Sequence, residues 1–595
     1  MGFLFSKYFF TWASLSILTA LLGGCDAPSK TPTPPAVFAD MVLHNGVVAT
    51  VDDAFGNVEA IATKGHEIIA VGSSEEISAY INADTQVIDL AGRMAMPGFI
   101  EGHGHFMSLG RSKQILDLTD ITHWQQAISR VAAAVDSAAP GEWIFGRGWH
   151  QDKWEQIPED AIDGVPLNNT LNLISPNNPV LLGHASGHAA FANDAALQAA
   201  GITDATADPE GGTILRAENG RATGLLRETA QRLVASAGAE YESQRSDEEV
   251  ERLKREQVFL ASSEALANGV TSFQDAGADF ATIDFFKQLE SEGALPIRLY
   301  VMVRGESNAQ MEKLLPAYLM PAEENDFLTV RSIKRQLDGA LGAHGAWLLE
   351  PYVDLPFTSG LVLETVEDIE ETARLAVKYG YQVNTHAIGD RANRETLDLY
   401  QRAFTSAQNS MQEPGANTTQ HSVQDLRWRV EHAQHIDPLD VPRFGELGVI
   451  AAIQGVHCTS DGPWVPSRLG EVRTKLTSYP WRDLIDTGAV VANGTDVPVE
   501  AIDPIASFYA SVSRMTNSGE KFYPEQAMTR AEALASYTIN NAYAAFEEAH
   551  KGSLTPGKLA DIVVLSQNIL SVDEAQIANT EVDMTIVAGQ VRYAR

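Results

Sequence analysis

Between residues 97 and 496 the chain repeats one pattern: a short apolar run, then a longer stretch whose apolar positions recur at helical spacing. Eight such runs can be read, at 97–103, 270–275, 297–302, 332–337, 382–386, 428–432, 449–454 and 490–496. Near-continuous Val- and Ile-rich runs are the mark of strands buried on both faces, and their alternation with helices predicts a parallel sheet. Eight βα units predict an α/β fold, a closed (β/α)8 TIM barrel. The interval between the first two runs, about 107–260, is far longer than one βα connection, so it predicts a large inserted subdomain at the end of the barrel where active sites lie.

The two ends of the chain are patterned differently. Short β-rich pieces at 41–44, 46–50, 67–71 and 86–90 are separated by Gly or Asn-Gly turns, and the style returns at 561–565, 584–587 and 590–593. Sheet edges need partners, so both ends are expected to join in one small β-sandwich, residues 40–96 with 546–595, flanking a barrel at 97–545. Ahead of it, residues 1–24 read as a secretory signal, with Lys7 and an apolar stretch from Tyr8 to Leu22. That stretch is short for a membrane span, and it closes on Leu22-Gly23-Gly24-Cys25, which resembles a bacterial lipobox. The resemblance implies lipidation of Cys25, and two acyl chains suffice for stable attachment. Residues 25–39, rich in proline, would then be a linker. The expectation is an exported protein anchored in the bacterial cell envelope and facing the periplasm, with inner and outer membrane both open.

Charge narrows the partners. With 43 Lys and Arg against 78 Asp and Glu, the formal net charge is −35, which disfavours nucleic acid. A small-molecule substrate is expected; a homo-oligomer remains open. The chain has only two cysteines. If Cys25 is acylated, Cys458 has no partner for an intramolecular disulfide and reads as a packed thiol.

Polar residues collect where the predicted strands stop. His103 and His105 close the first, Lys334 interrupts the fourth, His386 ends the fifth, His432 the sixth and Asp496 the eighth. In an extended chain His103 and His105 point to one side. One such histidine alone has a structural explanation; ligand-type residues at five strand ends of one barrel point to a shared ion. Imidazole and carboxylate without thiolate suit zinc or a similar divalent metal.

At these residues the chain resembles the amidohydrolase superfamily, in the branch that contains N-substituted formamide deformylases. The resemblance is carried by Met96-Pro97-Gly98-Phe99-Ile100-Glu101-Gly102-His103-Gly104-His105, by Thr385-His386-Ala387-Ile388-Gly389-Asp390, by Glu431-His432-Ala433-Gln434, by Asn493-Gly494-Thr495-Asp496 and by Gly557-Lys558-Leu559-Ala560-Asp561. It implies one ion on His103, His105 and Asp496, and a second on His386 and His432. Lys334, carboxylated by CO2, would bridge them; one ion or two is left open. An ion so held acidifies water towards ~7, and Asp496 would act as the catalytic proton carrier. The implied reaction is hydrolysis of a non-peptide C–N bond, amide or formamide-like. A deaminase, a lactone or ester hydrolase, and a catalytically silent binding lipoprotein stand as alternatives. Glu101-Gly102 departs from the Asp-Ser or Asp-Ala commoner there but spares the ligands. Asp152, His188 and Glu228 in the insertion, and His457 after the seventh run, are candidates for substrate contact.

Overall fold

A computed structural model describes residues 37–595 except 55, 160, 163, 323–326 and 412–422. The signal segment, Cys25 and nearly all of the Pro-rich stretch lie outside the described residues.

Eight parallel strands follow one another around a single sheet in chain order. They are β1 (Phe99–Gly104), β2 (Val270–Ala278), β3 (Arg298–Val303), β4 (Leu328–Gln336), β5 (Gln382–Ala387), β6 (Arg429–His432), β7 (Ile450–Gln454) and β8 (Val491–Gly494). The ends meet: Asp496 N–H donates to His103 O and His105 N–H to Val497 O, both at 2.7 Å, so the sheet closes into a TIM barrel. This seam accounts for Gly102, where a Cβ would lie 2.4 Å from Asn493 O. Side chains of β1, β3, β5 and β6 are buried throughout, as the apolar runs required.

β4 starts at Leu328, four residues before the run at 332–337, because Thr329 and Arg331 interrupt its apolar pattern. Both have partners that sequence does not show: Thr329 Oγ1 donates to Glu547 Oε1 at 2.9 Å, and Arg331 lies 3.8 Å from the centre of the Phe546 ring. The helices carry ordinary signals. In Val366–Tyr379, Thr365 caps the N-terminus, Gly380 ends it at φ 79°, and Ile369, Ala373 and Ala376 face the core at i, i+4 and i+7.

Between β1 and β2 the chain builds a six-stranded mixed sheet, ordered Gly212–Arg216, Ala222–Glu228, Ala189–Ala192, Val180–His184, Ile144–Trp149, Leu116–Asp117. It has its own apolar core, with Trp124, Trp149, Trp154 and Phe191 in contact. At the other end, Met94–Pro97 pairs antiparallel with Ile562–Leu565, which places N- and C-terminal strands in one sheet. A second sheet, holding Met41–His44 and Ala60–Lys64, shares a core with it through Leu43, Ile61, Ala95, Ile562 and Ile586. Among the described residues no helix is long and apolar enough to cross a membrane.

Candidate active site

Every group expected at the strand ends arrives at one mouth. Around Asp496, His105 Nε2 lies 3.2 Å and His103 Nε2 3.6 Å from Oδ1. Ring centres of His103 and His432 are 4.8 Å apart, and those of His432 and His386 4.3 Å. Lys334 Nζ stands 3.3 Å from His103 Nε2. Two three-residue sets bring ligand atoms within 4.8 Å of one another: His103, His105, Asp496, and His432, His457, Asp496. Asp496 belongs to both. His457, expected only to touch substrate, therefore joins a ligand set, its ring parallel to that of His432 at 6.3 Å.

Local backbone explains the aim of these side chains. Alternation along β6 turns Arg429 and Glu431 inward and would turn His432 away. His432 instead adopts φ 76°, and Asp496 φ 59°, left-handed conformations that re-aim both side chains. Such conformations cost of order 1–3 kcal/mol for residues other than glycine and persist where the surroundings impose them.

A supporting layer fixes the rings. Glu431 contacts His103 Nδ1, which leaves Nε2 for the centre. Gln454 Oε1 holds His432 Nδ1 at 2.7 Å in the same way. Arg429 Nε stands 2.6 Å from Glu431 Oε1, and Arg429 Nη2 also donates to Gly102 O. Asp338 accepts from the N–H groups of Ile388, Gly389 and Trp347, and its Oδ1 is 3.5 Å from His386 Nε2. Glu101 accepts from Thr495 N and Oγ1 at 2.6 and 3.0 Å, tying β1 to the segment that bears Asp496.

Electrostatics set the protonation states. Burial keeps His386 and His432 neutral, with pKa values well below the usual imidazole value, and takes His103 down to about 4. Burial lowers Lys334 to about 7, with Arg304 adding to the effect. For Asp496 burial acts upwards, but above all its side-chain contact with His105 holds its carboxyl well below the usual range. Neutral imidazoles beside an ionised carboxylate are the states a divalent ion needs in its ligands. The polar atoms also ask for one: among the described residues His386 Nε2, His457 Nε2 and Asp496 Oδ1 are buried without an aligned hydrogen-bond partner. The donor set therefore fits a metal.

The insertion reaches this centre. His188 lies with its ring centre 6.4 Å from that of His386, and its Nδ1 is 2.9 Å from Glu228 Oε2. Burial would lower the pKa of His188, but Glu228, Asp496 and Asp338 raise it above the usual value. Arg147 donates through Nη1 to Pro498 O, two residues past Asp496. Asp152 falls in the turn Gln151–Lys153, and its side chain is outside the described residues. Cys458 is buried and free, its thiol pushed up to about 11 by burial, which suits packing rather than nucleophilic attack.

A model of the amidohydrolase family matches residues 86–593. The chain belongs to the amidohydrolase family. Over 579 residues this amidohydrolase is 33% identical to Protein LONG AFTER FAR-RED 3 of Arabidopsis thaliana, covering 95% of this chain and 93% of that one. It is 26% identical to the N-substituted formamide deformylase of Arthrobacter pascens, over 93% and 98% of the two chains. Among solved structures, an uncharacterized metal-dependent hydrolase from Pyrococcus horikoshii superimposes with a TM-score of 0.70 at 26% identity, covering 90% of this chain and 99% of that one. This amidohydrolase is thus a metal-dependent hydrolase. Its supporting residues Glu431, Gln454, Asp338 and Glu101 escaped sequence reasoning. For Glu101, Glu431 and Gln454 the available signal was a carboxylate or amide inside a strand otherwise buried on both faces; Asp338 lies two residues past β4.

Proposed function

We propose that this amidohydrolase cleaves a non-peptide C–N bond, amide or formamide-like, in a small molecule. The observation that carries the reading is Asp496, ionised, buried and common to both ligand sets. The likeness to a relative named as an N-substituted formamide deformylase supports the choice of bond. His103, His105 and Asp496 would hold one divalent ion, and His386 and His432, with His457 in reach, a second. Nitrogen and oxygen donors without thiolate favour zinc. Lys334, beside His103 and neutral above about pH 7, is suited to carboxylation by CO2 and so to an anionic bridging role. When bound, the metal supplies an acidified water and a Lewis acid for the substrate carbonyl. Asp496 takes the proton of the attacking water and returns it to the leaving nitrogen. His188, its Nδ1 held by Glu228, presents its other nitrogen to orient the substrate.

Metal analysis of protein purified without chelators, with intact mass and an amine-release assay on N-benzylformamide, tests this. About two zinc ions per chain, a mass gain of one CO2 lost on Lys334→Ala, and amine release support it. Absence of a stoichiometric divalent ion removes the metal assignment. Ammonia or acid release from other substrates with no amine from amides would favour a deaminase or lactonase. We also propose that Cys25 is lipidated and holds the enzyme in the cell envelope. Detergent-phase partitioning that survives Cys25→Ala would overturn that.

A further inference from the structure

Arg304 directly follows β3, and its N–H donates to Ala278 O, at the end of β2, at 2.9 Å. Its stem crosses Gly277, where a Cβ would lie 2.4 Å from both Cβ and Cδ of Arg304. Gly277 also has φ 137°, so glycine is required twice over for this crossing. On the far side Arg304 Nη2 donates to Oε1 of Gln336, the last residue of β4, at 2.8 Å. The guanidinium is thereby held over the ends of three strands, and it is near enough to Lys334 and Asp496 to act on both.

The carboxylates around Arg304 are engaged elsewhere. Glu364 pairs with Arg335 at 3.2 Å. Asp275 accepts from the N–H groups of Phe106 and Gly277 at 3.4 and 3.3 Å. Asp496 belongs to the histidine cluster. Arg232, in the first turn of the insertion's helix Gln231–Glu242, adds a second positive charge that acts on Arg304. A guanidinium stays charged even when burial lowers its pKa; Glu364, Asp496 and Asp275 act on that charge, but among the described residues none of them forms an ion pair with it. Arg304 thus brings a positive charge to the mouth in a chain of net charge −35. Gln336 takes one of the five N–H groups of Arg304, and the planar fork matches a carboxylate.

We infer that Arg304 forms an anion subsite that takes a carboxylate of the substrate, so the preferred amides are N-formyl or N-acyl amino acids. The inference rests on the C–N hydrolase reading and narrows its substrate class. A carboxylate seated on Arg304 places the rest of the molecule towards Asp496 and Lys334. Arg304 is then a specificity-determining residue.

A matched pair of probes tests it: N-formylphenylalanine and N-(2-phenylethyl)formamide, which differ by one carboxylate. Amine release and calorimetric binding are measured on the metal-loaded enzyme and on Arg304→Gln and Arg304→Lys, with melting temperature and metal content as checks on folding. The natural enzyme is expected to favour the carboxylate member by roughly 10- to 100-fold in kcat/KM, the range for charge-assisted hydrogen bonds. Arg304→Gln should collapse that ratio, chiefly through KM, and Arg304→Lys should keep part of it. A ratio unchanged in both variants, or a natural preference for the neutral probe, overturns the subsite. If neither probe is hydrolysed, binding decides. Weakening of N-formylphenylalanine by about tenfold or more in Arg304→Gln or Arg304→Lys keeps the subsite while the formamide reading falls. Binding indifferent to Arg304 removes the subsite whatever the turnover.

Discussion

At the floor of the barrel Lys551 Nζ lies 2.6 Å from Glu547 Oε2 and donates to Ser272 Oγ at 2.7 Å, while Thr329 donates to Glu547 Oε1. Beside them Arg298 Nε is 2.7 Å from Asp561 Oδ2, and Asp561 Oδ1 accepts the N–H of Ala588. At the mouth, His386 Nε2, His457 Nε2 and Asp496 Oδ1 are equally buried and have no aligned partner. Both ends bury charge, but at the floor each carboxylate faces a Lys or Arg at 2.6–2.7 Å, even though Glu547 Oε2 also lacks an aligned hydrogen bond, whereas the mouth groups have no such cation. Buried polar groups that satisfy one another specify a fold, whereas groups left with open valence mark where an outside atom belongs. The contrast separates stability from chemistry within one barrel.

The contrast can be broken at either end. Asp496→Asn should retain most metal while lowering kcat by about a thousandfold, since a lost general acid–base group costs 10²–10⁴. Turnover within tenfold of the natural enzyme, read with metal content, would strip Asp496 of its proton-carrying role. Lys551→Ala should do the opposite. Leaving Glu547 buried and unpaired is expected to cost about 3–5 kcal/mol of stability in denaturant titration, with kcat per folded chain unchanged. A thousandfold fall in kcat there would erase the distinction between the two ends.

The smallest effect concerns Lys334, whose amine is held at about 7 by burial and by Arg304. Its folded pKa lies below the unfolded value of ~10.4. The metal-free chain therefore carries the cost of a buried ammonium below pH ~7, and that cost fades as pH rises towards ~10. Carboxylation needs the free amine, so reconstitution with zinc and bicarbonate should rise about tenfold from pH 6 to 8 and then level off. A flat profile over that range would speak against Lys334 as the CO2 acceptor.

The barrel was legible because parallel strands buried on both faces leave apolar runs, and seven of the eight begin within two residues of where those runs do. The start of β4 was not, because Thr329 and Arg331 face partners, Glu547 and Phe546, that lie more than two hundred residues away. The site divides along the same line. His103, His105, His386, His432 and Asp496 stand out because histidine and aspartate at strand ends have few other reasons to gather. Glu431 and Asp338 do not stand out, since the contact of Glu431 with His103 exists only once the barrel has closed and that of Asp338 with His386 only once β4 pairs with β5. Arg304 was hidden for another reason: one arginine after a strand reads as surface until its neighbours' carboxylates are seen to be engaged elsewhere.

The seam between the first and last barrel strands has a consequence for synthesis. Glu101 and Thr495, which tie that seam, are 394 residues apart in the chain, and Met94–Pro97 waits for Ile562–Leu565 to pair with it. A growing chain on the ribosome therefore cannot assemble this centre piecemeal. His103 and His105 emerge early and wait for Asp496, so a chain truncated before β8 lacks the carboxylate shared by both ligand sets and has an open sheet edge. Such an edge recruits other strands, which makes the unfinished enzyme a client for whatever holds nascent chains apart.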